Sequence, residues 1–174
     1  MLRVKQLTPL LRSLRILPPS LVIALASLDA VAQNMAIKGA TILDVTNGKM
    51  IKNHVVIVKD GRIDSVAPLR SVEVPKGIEV LDLQGHTLLP GMIDMHVHLT
   101  SGGGYHGYES LKLTDERRAI LGVVHAEQTL MAGFTTVRNV GAGSFGDVAL
   151  RDAINDGDIP GPRTRVSGRP IGST

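Results

Sequence analysis

Between residues 36 and about 90, apolar and polar positions alternate in short runs and no helical period emerges, which predicts a β-rich segment. The runs His54-Val55-Val56-Ile57-Val58-Lys59 and Arg62-Ile63-Asp64-Ser65-Val66 flank Asp60-Gly61. That pair readily supplies the two positive φ angles of a type I′ turn, so a hairpin is predicted there. Residues 40–45, 79–83 and 87–89 read as further strands, the last running into Pro90-Gly91.

Beyond Pro90 the pattern becomes strand, helix, strand, helix, strand. Residues 92–99 read as a strand. Thr114 is placed to cap a helix whose first turn carries Asp115 and Glu116, favourable at the positive end of the dipole. Its apolar positions Ala119, Ile120, Val123, Ala126, Leu130 and Met131 share one face, and Gly133 ends it. Residues 134–140 form the next predicted strand, 147–155 a short helix and 163–167 a third strand. Alternating βαβ units imply parallel strands with right-handed crossovers.

Composition narrows the chemistry. The chain has no cysteine, which excludes disulfides, a thiol nucleophile and every thiolate metal site, so any metal must sit on histidine and carboxylate. The net charge of +3 resides in the leader: Arg3, Lys5, Arg12 and Arg15 precede residue 33 with only Asp29 to oppose them. Residues 33–174 hold 15 basic and 15 acidic side chains, no field that would gather phosphate, and nucleic-acid binding is not expected. The leader itself has a basic start, an apolar run Leu21-Val22-Ile23-Ala24-Leu25-Ala26 and a small-x-small end at Ala30-Val31-Ala32. This is the layout of a signal peptide cleaved near Ala32/Gln33, and its apolar stretch is too short for a stable membrane anchor. Export to the periplasm or medium is the expectation, with a cytoplasmic product if Met35 is the true start.

The informative stretch is Pro90-Gly91-Met92-Ile93-Asp94-Met95-His96-Val97-His98-Leu99. Residues two apart on a strand share a face, so His96 and His98 project together near its C-terminal end, where parallel α/β folds place their chemistry. Neutral imidazole is the commonest protein ligand of zinc, whose charge lowers the pKa of water toward neutrality. Two half-buried histidines that only hydrogen-bond would carry the same spacing; the Pro-Gly-x-Ile-Asp lead-in and the strand context favour ligation. By the same alternation Asp94 joins them, as an acceptor orienting an imidazole or as a structural hydrogen-bonding group. His125 lies off the apolar stripe and reads as a surface position. The glycine-rich loop after the strand brings Tyr105, His106 and Tyr108 as candidate substrate contacts, and Arg138 ends the next strand as another.

The ordered series Ala40-Thr41-Ile42-Leu43-Asp44, Val58-Lys59-Asp60-Gly61-Arg62-Ile63, Asp82-Leu83-Gln84-Gly85-His86-Thr87-Leu88-Leu89-Pro90-Gly91, Asp94-x-His96-x-His98 and Gly133-Phe134-Thr135-Thr136-Val137-Arg138 resembles the amidohydrolase superfamily. Within it, the series is similar to the imidazolonepropionase-like branch that also contains Xaa-Pro dipeptidases. The resemblance implies an α/β fold: a small β-sandwich-like domain followed by a metal-dependent (β/α)8 TIM barrel that hydrolyses amides, cyclic amides or Xaa-Pro dipeptides with metal-activated water. It implies one or two divalent ions, Zn2+ foremost, with His96 and His98 as ligands, and a small-molecule amide or dipeptide as partner; a homo-oligomer of the full-length protein is compatible with it. The organisation expected is a signal peptide at 1–32, an incomplete β-rich domain at 33–90, and the first three βα units of a barrel at 91–174. Only 84 residues follow Pro90, against roughly 250 for a full barrel, so the general base and the later ligands of the family fall outside these residues. Asn139 stands where such proteins often carry aspartate after Thr-Thr-Val-Arg. The alternative reading is a non-catalytic remnant, or a metal-binding module that needs a partner.

Overall fold

The computed structural model describes residues 34–101, 103–105 and 107–172. The predicted leader therefore lies outside the described residues. The chain divides into two compact units, the division falling between Leu88 and Leu89.

The first unit carries β1 (Met35–Lys38), β2 (Thr41–Asp44), β3 (Lys49–Ile51), β4 (His54–Lys59), β5 (Arg62–Pro68), β6 (Glu79–Asp82) and β7 (Thr87–Leu88). One sheet runs β5-β4-β1-β6 and a second β3-β2-β7. The β4–β5 hairpin turns on Asp60 and Gly61, with φ of 49° and 69°, as the sequence requires. Val55, Val56 and Ile57 are all buried, so β4 is covered on both faces, which is why its run is continuous rather than alternating. Ala36, Val55 and Ile57 form the core, closed by Val72, Val74 and Ile78 from the β5–β6 connection. The strands β1 and β3 have no counterpart among the predicted ones: both are short, β1 takes its hydrogen bonds from remote partners in β4 and β6, and β3 folds back on β2 as a hairpin.

The second unit is β8 (Met92–Val97), α1 (Asp115–Met131), β9 (Phe134–Asn139), α2 (Gly146–Asn155) and β10 (Arg163–Val166). Its sheet, ordered β10-β9-β8, is parallel throughout. Leu99, Ala126, Val137 and Leu150 form its core, joined by Val97, Val123, Phe134, Ile154 and Ile159. Thr114 caps α1, its side chain accepting from Arg117 N–H at 3.2 Å, and Gly133 ends the turn at φ 95°. Gly91 allows the strand's entry to pass close to β9, since a Cβ there would lie 2.1 Å from Thr135 Oγ1.

Two details differ from expectation. The buried face of α1 is built on Gly122 and Ala126, while Ile120 and Met131 are 57% and 80% exposed. Small residues let the helix approach the sheet closely, and that narrows the covered face below the width of the apolar stripe. Strand β8 ends at Val97 rather than Leu99, because its pairing is interrupted just before its end.

Candidate metal centre

The interruption is the local event that shapes the site. Along β8, Asp94 pairs with Val137 and the next pair is Val97 with Asn139, so three steps on β8 oppose two on β9. This is a bulge, and it frees the polar groups of Met95 and His96 from the ladder. Both are satisfied by side chains: Arg138 Nε donates to Met95 O at 2.8 Å, and His96 N–H donates to Asp94 Oδ1 at 3.0 Å. Asp94 thus holds the backbone of the bulge, as the structural hydrogen-bonding group, and lines the same cavity as His98. Arg138, a candidate substrate contact by sequence, spends its Nε within the chain.

His96, within the bulge, and His98, just after the end of β8, come together. Their ring centroids are 5.3 Å apart at an interplanar angle of 72°. His98 Nδ1 lies 3.3 Å from Gly141 O. A carbonyl only accepts, so Nδ1 carries the proton and the Nε2 lone pair is left for a ligand. Both side chains are exposed at the C-terminal end of β8. Two imidazoles are a suitable half of a zinc donor set; among the described residues no group of three or more His, Cys, Asp or Glu converges.

Behind His98 lies a buried polar network the sequence does not announce. Asn139 is fully buried; its Oδ1 accepts from Leu99 N–H at 2.7 Å, and its Nδ2 donates to Gly141 O and Asp147 Oδ2, each at 3.1 Å. Asp147, also fully buried, accepts from Gly168 N–H at 3.1 Å through that same oxygen, and its Oδ1 has no partner among the described residues. Segments that follow β8, β9 and β10 are thereby tied together, and the Gly141 carbonyl that fixes the His98 tautomer is held from behind. His125 is not a surface spectator: its Nδ1 lies 2.7 Å from Leu99 O, the residue after His98.

The remaining candidates are not gathered around the histidines. Tyr108 is 89% exposed on the 3-10 turn Gly107–Lys112, and Tyr105 precedes that turn, also exposed. The turn is held by Lys112–Glu109 pairing and by Arg118 donating to Ser110 O. His106 lies outside the described residues.

Residues 87–173 match the Amidohydrolase family, and residues 45–88 match the NagA composite domain. A dihydroorotase of Staphylococcus aureus (strain MRSA252) is 35% identical over 98 residues, covering 53% of this chain and 20% of that enzyme. One from Pelotomaculum thermopropionicum is 42% identical over 69 residues, 40% of this chain and 15% of that enzyme. Among solved structures, molinate hydrolase superposes with a TM-score of 0.71 at 30% identity, over 81% of this chain and 31% of its own. A Xaa-Pro dipeptidase with bound methionine gives 0.70 at 30% identity, over 80% of this chain and 34% of its own. The chain thus spans about a fifth of the first of these curated relatives and about a third of these structures.

Proposed function

Since the chain belongs to the amidohydrolase family, and its three parallel strands are part of that family's barrel, we propose that the protein carrying it hydrolyses C–N bonds of small amides, cyclic amides or dipeptides. In this reading His96 and His98 are two ligands of a divalent ion, zinc by the softness of the donor pair. The observation that carries it is the His98 imidazole, with Nδ1 committed to Gly141 O at 3.3 Å, Nε2 free, and the His96 ring beside it. A divalent ion held there supplies Lewis-acid charge for the carbonyl and lowers the pKa of water. The chain's own part is to fix the tautomer of His98 through the Gly141 carbonyl and the Asn139–Asp147 network, and to bring the His96 ring beside it through the bulge. Net hydrolysis places the water oxygen on the carbonyl carbon, breaks the C–N bond and returns a proton to the nitrogen. Dipeptides ending in proline are the favoured substrates, supported by the likeness to the Xaa-Pro dipeptidase.

The test is zinc titration of the full-length protein, paired with hydrolysis of glycyl-L-proline and of a cyclic amide. Turnover should vanish on chelation, return with zinc, and fall at least a hundredfold in His98→Ala, together with loss of a bound equivalent. Turnover unchanged in both His96→Ala and His98→Ala would sink the reading. The described residues bring together two donors and no third, which also supports the module reading for residues 33–174 alone: weak zinc binding without turnover.

A further inference from the structure

A second feature sits beside His98. An open cleft of about 520 Å³ is lined by His98, Ser101, the 141–144 turn, Arg169 and Pro170. It contains one cation, Arg169, and no carboxylate. Arg169 is exposed, and no acidic side chain among the described residues pairs with it; the ion pairs found there are Lys38–Asp82, Lys59–Asp64, Lys112–Glu109 and Arg151–Asp152. Its guanidinium is nevertheless held in place. The Cζ lies 5.5 Å from the centroid of the Phe145 ring, a cation–π arrangement.

The platform under Arg169 is itself built. Gly168 lies so close to the same ring that a Cβ would fall 3.0 Å from Phe145 Cδ1 and Cε1. Ser144 and Phe145 both adopt left-handed backbone, with φ of 48° and 59°, a conformation that side-chain-bearing residues hold only when their surroundings enforce it. Ser144 Oγ donates to Asp115 Oδ2, which clamps this turn to the start of α1. A strained turn, a stacked aromatic and a glycine together aim an unpaired guanidinium at the cleft that His98 borders.

We propose that Arg169 binds the carboxylate of the substrate, so that the site takes N-acyl amino acids and dipeptides, with the scissile amide lying toward His98 and the free carboxylate on the Phe145-stacked guanidinium. A planar fork of N–H donors matches a carboxylate in two parallel hydrogen bonds, and the absence of acidic lining leaves no competitor in the cleft. This assignment rests on the amidohydrolase reading for its orientation, but the anion site is testable without turnover.

The full-length protein is titrated calorimetrically with N-acetyl-L-proline and with its neutral isostere N-acetyl-L-prolinamide, both metal-loaded and after chelation. Wild type should bind the carboxylate at least about tenfold tighter than the carboxamide in both states, the scale of a charge-assisted hydrogen bond. Arg169→Met, which keeps the aliphatic stem, should abolish that preference, while Arg169→Lys should restore part of it. Acetate and inorganic phosphate at equal concentration should compete more weakly; equal competition would mean a general anion site and overturn the substrate assignment. Equal affinity for the two probes in wild type, or an unchanged preference in Arg169→Met, would overturn it as well. In kinetics the same variant should raise KM for glycyl-L-proline about tenfold or more with kcat little changed. Absent turnover with the binding preference intact would count against the hydrolase reading and not against Arg169 as the carboxylate site.

Discussion

At Asn139 the difference between an amide and a carboxylate is one pair of N–H donors. Its Nδ2 faces two acceptors, Gly141 O and Asp147 Oδ2, while its Oδ1 faces the Leu99 N–H donor, so the orientation of the amide is dictated by its partners. Asn139→Asp would replace the donor by an oxygen 3.1 Å from a buried carboxylate. An uncompensated buried charge costs about 3 kcal/mol or more. The expected outcome is a fall in the urea midpoint of the full-length protein, with zinc affinity reduced about tenfold because the Gly141 carbonyl behind His98 loses its second anchor. Asn139→Asp with wild-type stability and zinc affinity would show that the network does not constrain the site. Arg138 and Asp94 act at the same scale. Each saturates a backbone group released by the bulge, so either variant should disturb the direction of His96 before it disturbs any substrate contact.

Helix α1 shows how a locally written element serves a remote site. Thr114 supplies its N-cap oxygen to Arg117 N–H, and Thr114→Ala should lower stability by about 1 kcal/mol in thermal or urea unfolding. The cap also bears on Glu116, whose carboxyl is held below the usual glutamate range first by hydrogen bonding to its own backbone N–H and then by the Thr114 side chain. A carboxyl with a depressed pKa in the native state binds its proton less tightly than in the unfolded chain. Its contribution is therefore present above the ordinary glutamate range and is lost as pH falls through the native value. Carbon-13 titration should find Glu116 below an unstructured glutamate and should move it upward in Thr114→Ala; an unmoved midpoint would refute the cap's part. Because His125 on this helix reaches Leu99 O at 2.7 Å, and Asp115 holds the Ser144 turn, α1 positions both the segment that carries His98 and the turn beneath Arg169.

At the scale of the molecule, the parallel sheet has, among the described residues, three strands and two open edges. On β8, Ile93 and Met95 are 61% and 54% exposed, and in the first unit Val80 and Leu81 on the edge strand β6 are 46% and 40% exposed. Unpaired edges beside apolar surface favour association. The 174-residue polypeptide produced alone should self-associate and bind dyes selective for exposed apolar surface. A monomer by light scattering that melts cooperatively, with protected amides in β8, would show that these surfaces are tolerated. For the leader, N-terminal sequencing of the protein recovered from cells should begin near Gln33; an intact Met1 or a Met35 start in the cytosol would defeat export.

Features whose partners lie a few residues away were legible in the chain itself. Asp60-Gly61 carries its turn, Thr114 its cap and Gly133 its stop, and the two-residue spacing of His96 and His98 anticipates that their rings come together. The alternation of elements predicted that β8, β9 and β10 run parallel, since a strand, helix, strand connection crosses over the sheet; their order β10-β9-β8 came with the fold. What only the tertiary structure decided are pairings across long separations. The bulge under His96 depends on Arg138, 43 residues from Met95; the buried amide of Asn139 depends on Leu99, 40 residues before it; and His125 reaches a carbonyl 26 residues away. A side chain's type states how many hydrogen bonds it can make, but which group receives them is set by where folding brings the backbone. Alternation therefore put Asp94 near the histidines, and the extra residue in β8 gave its carboxylate a backbone amide to hold, that of His96.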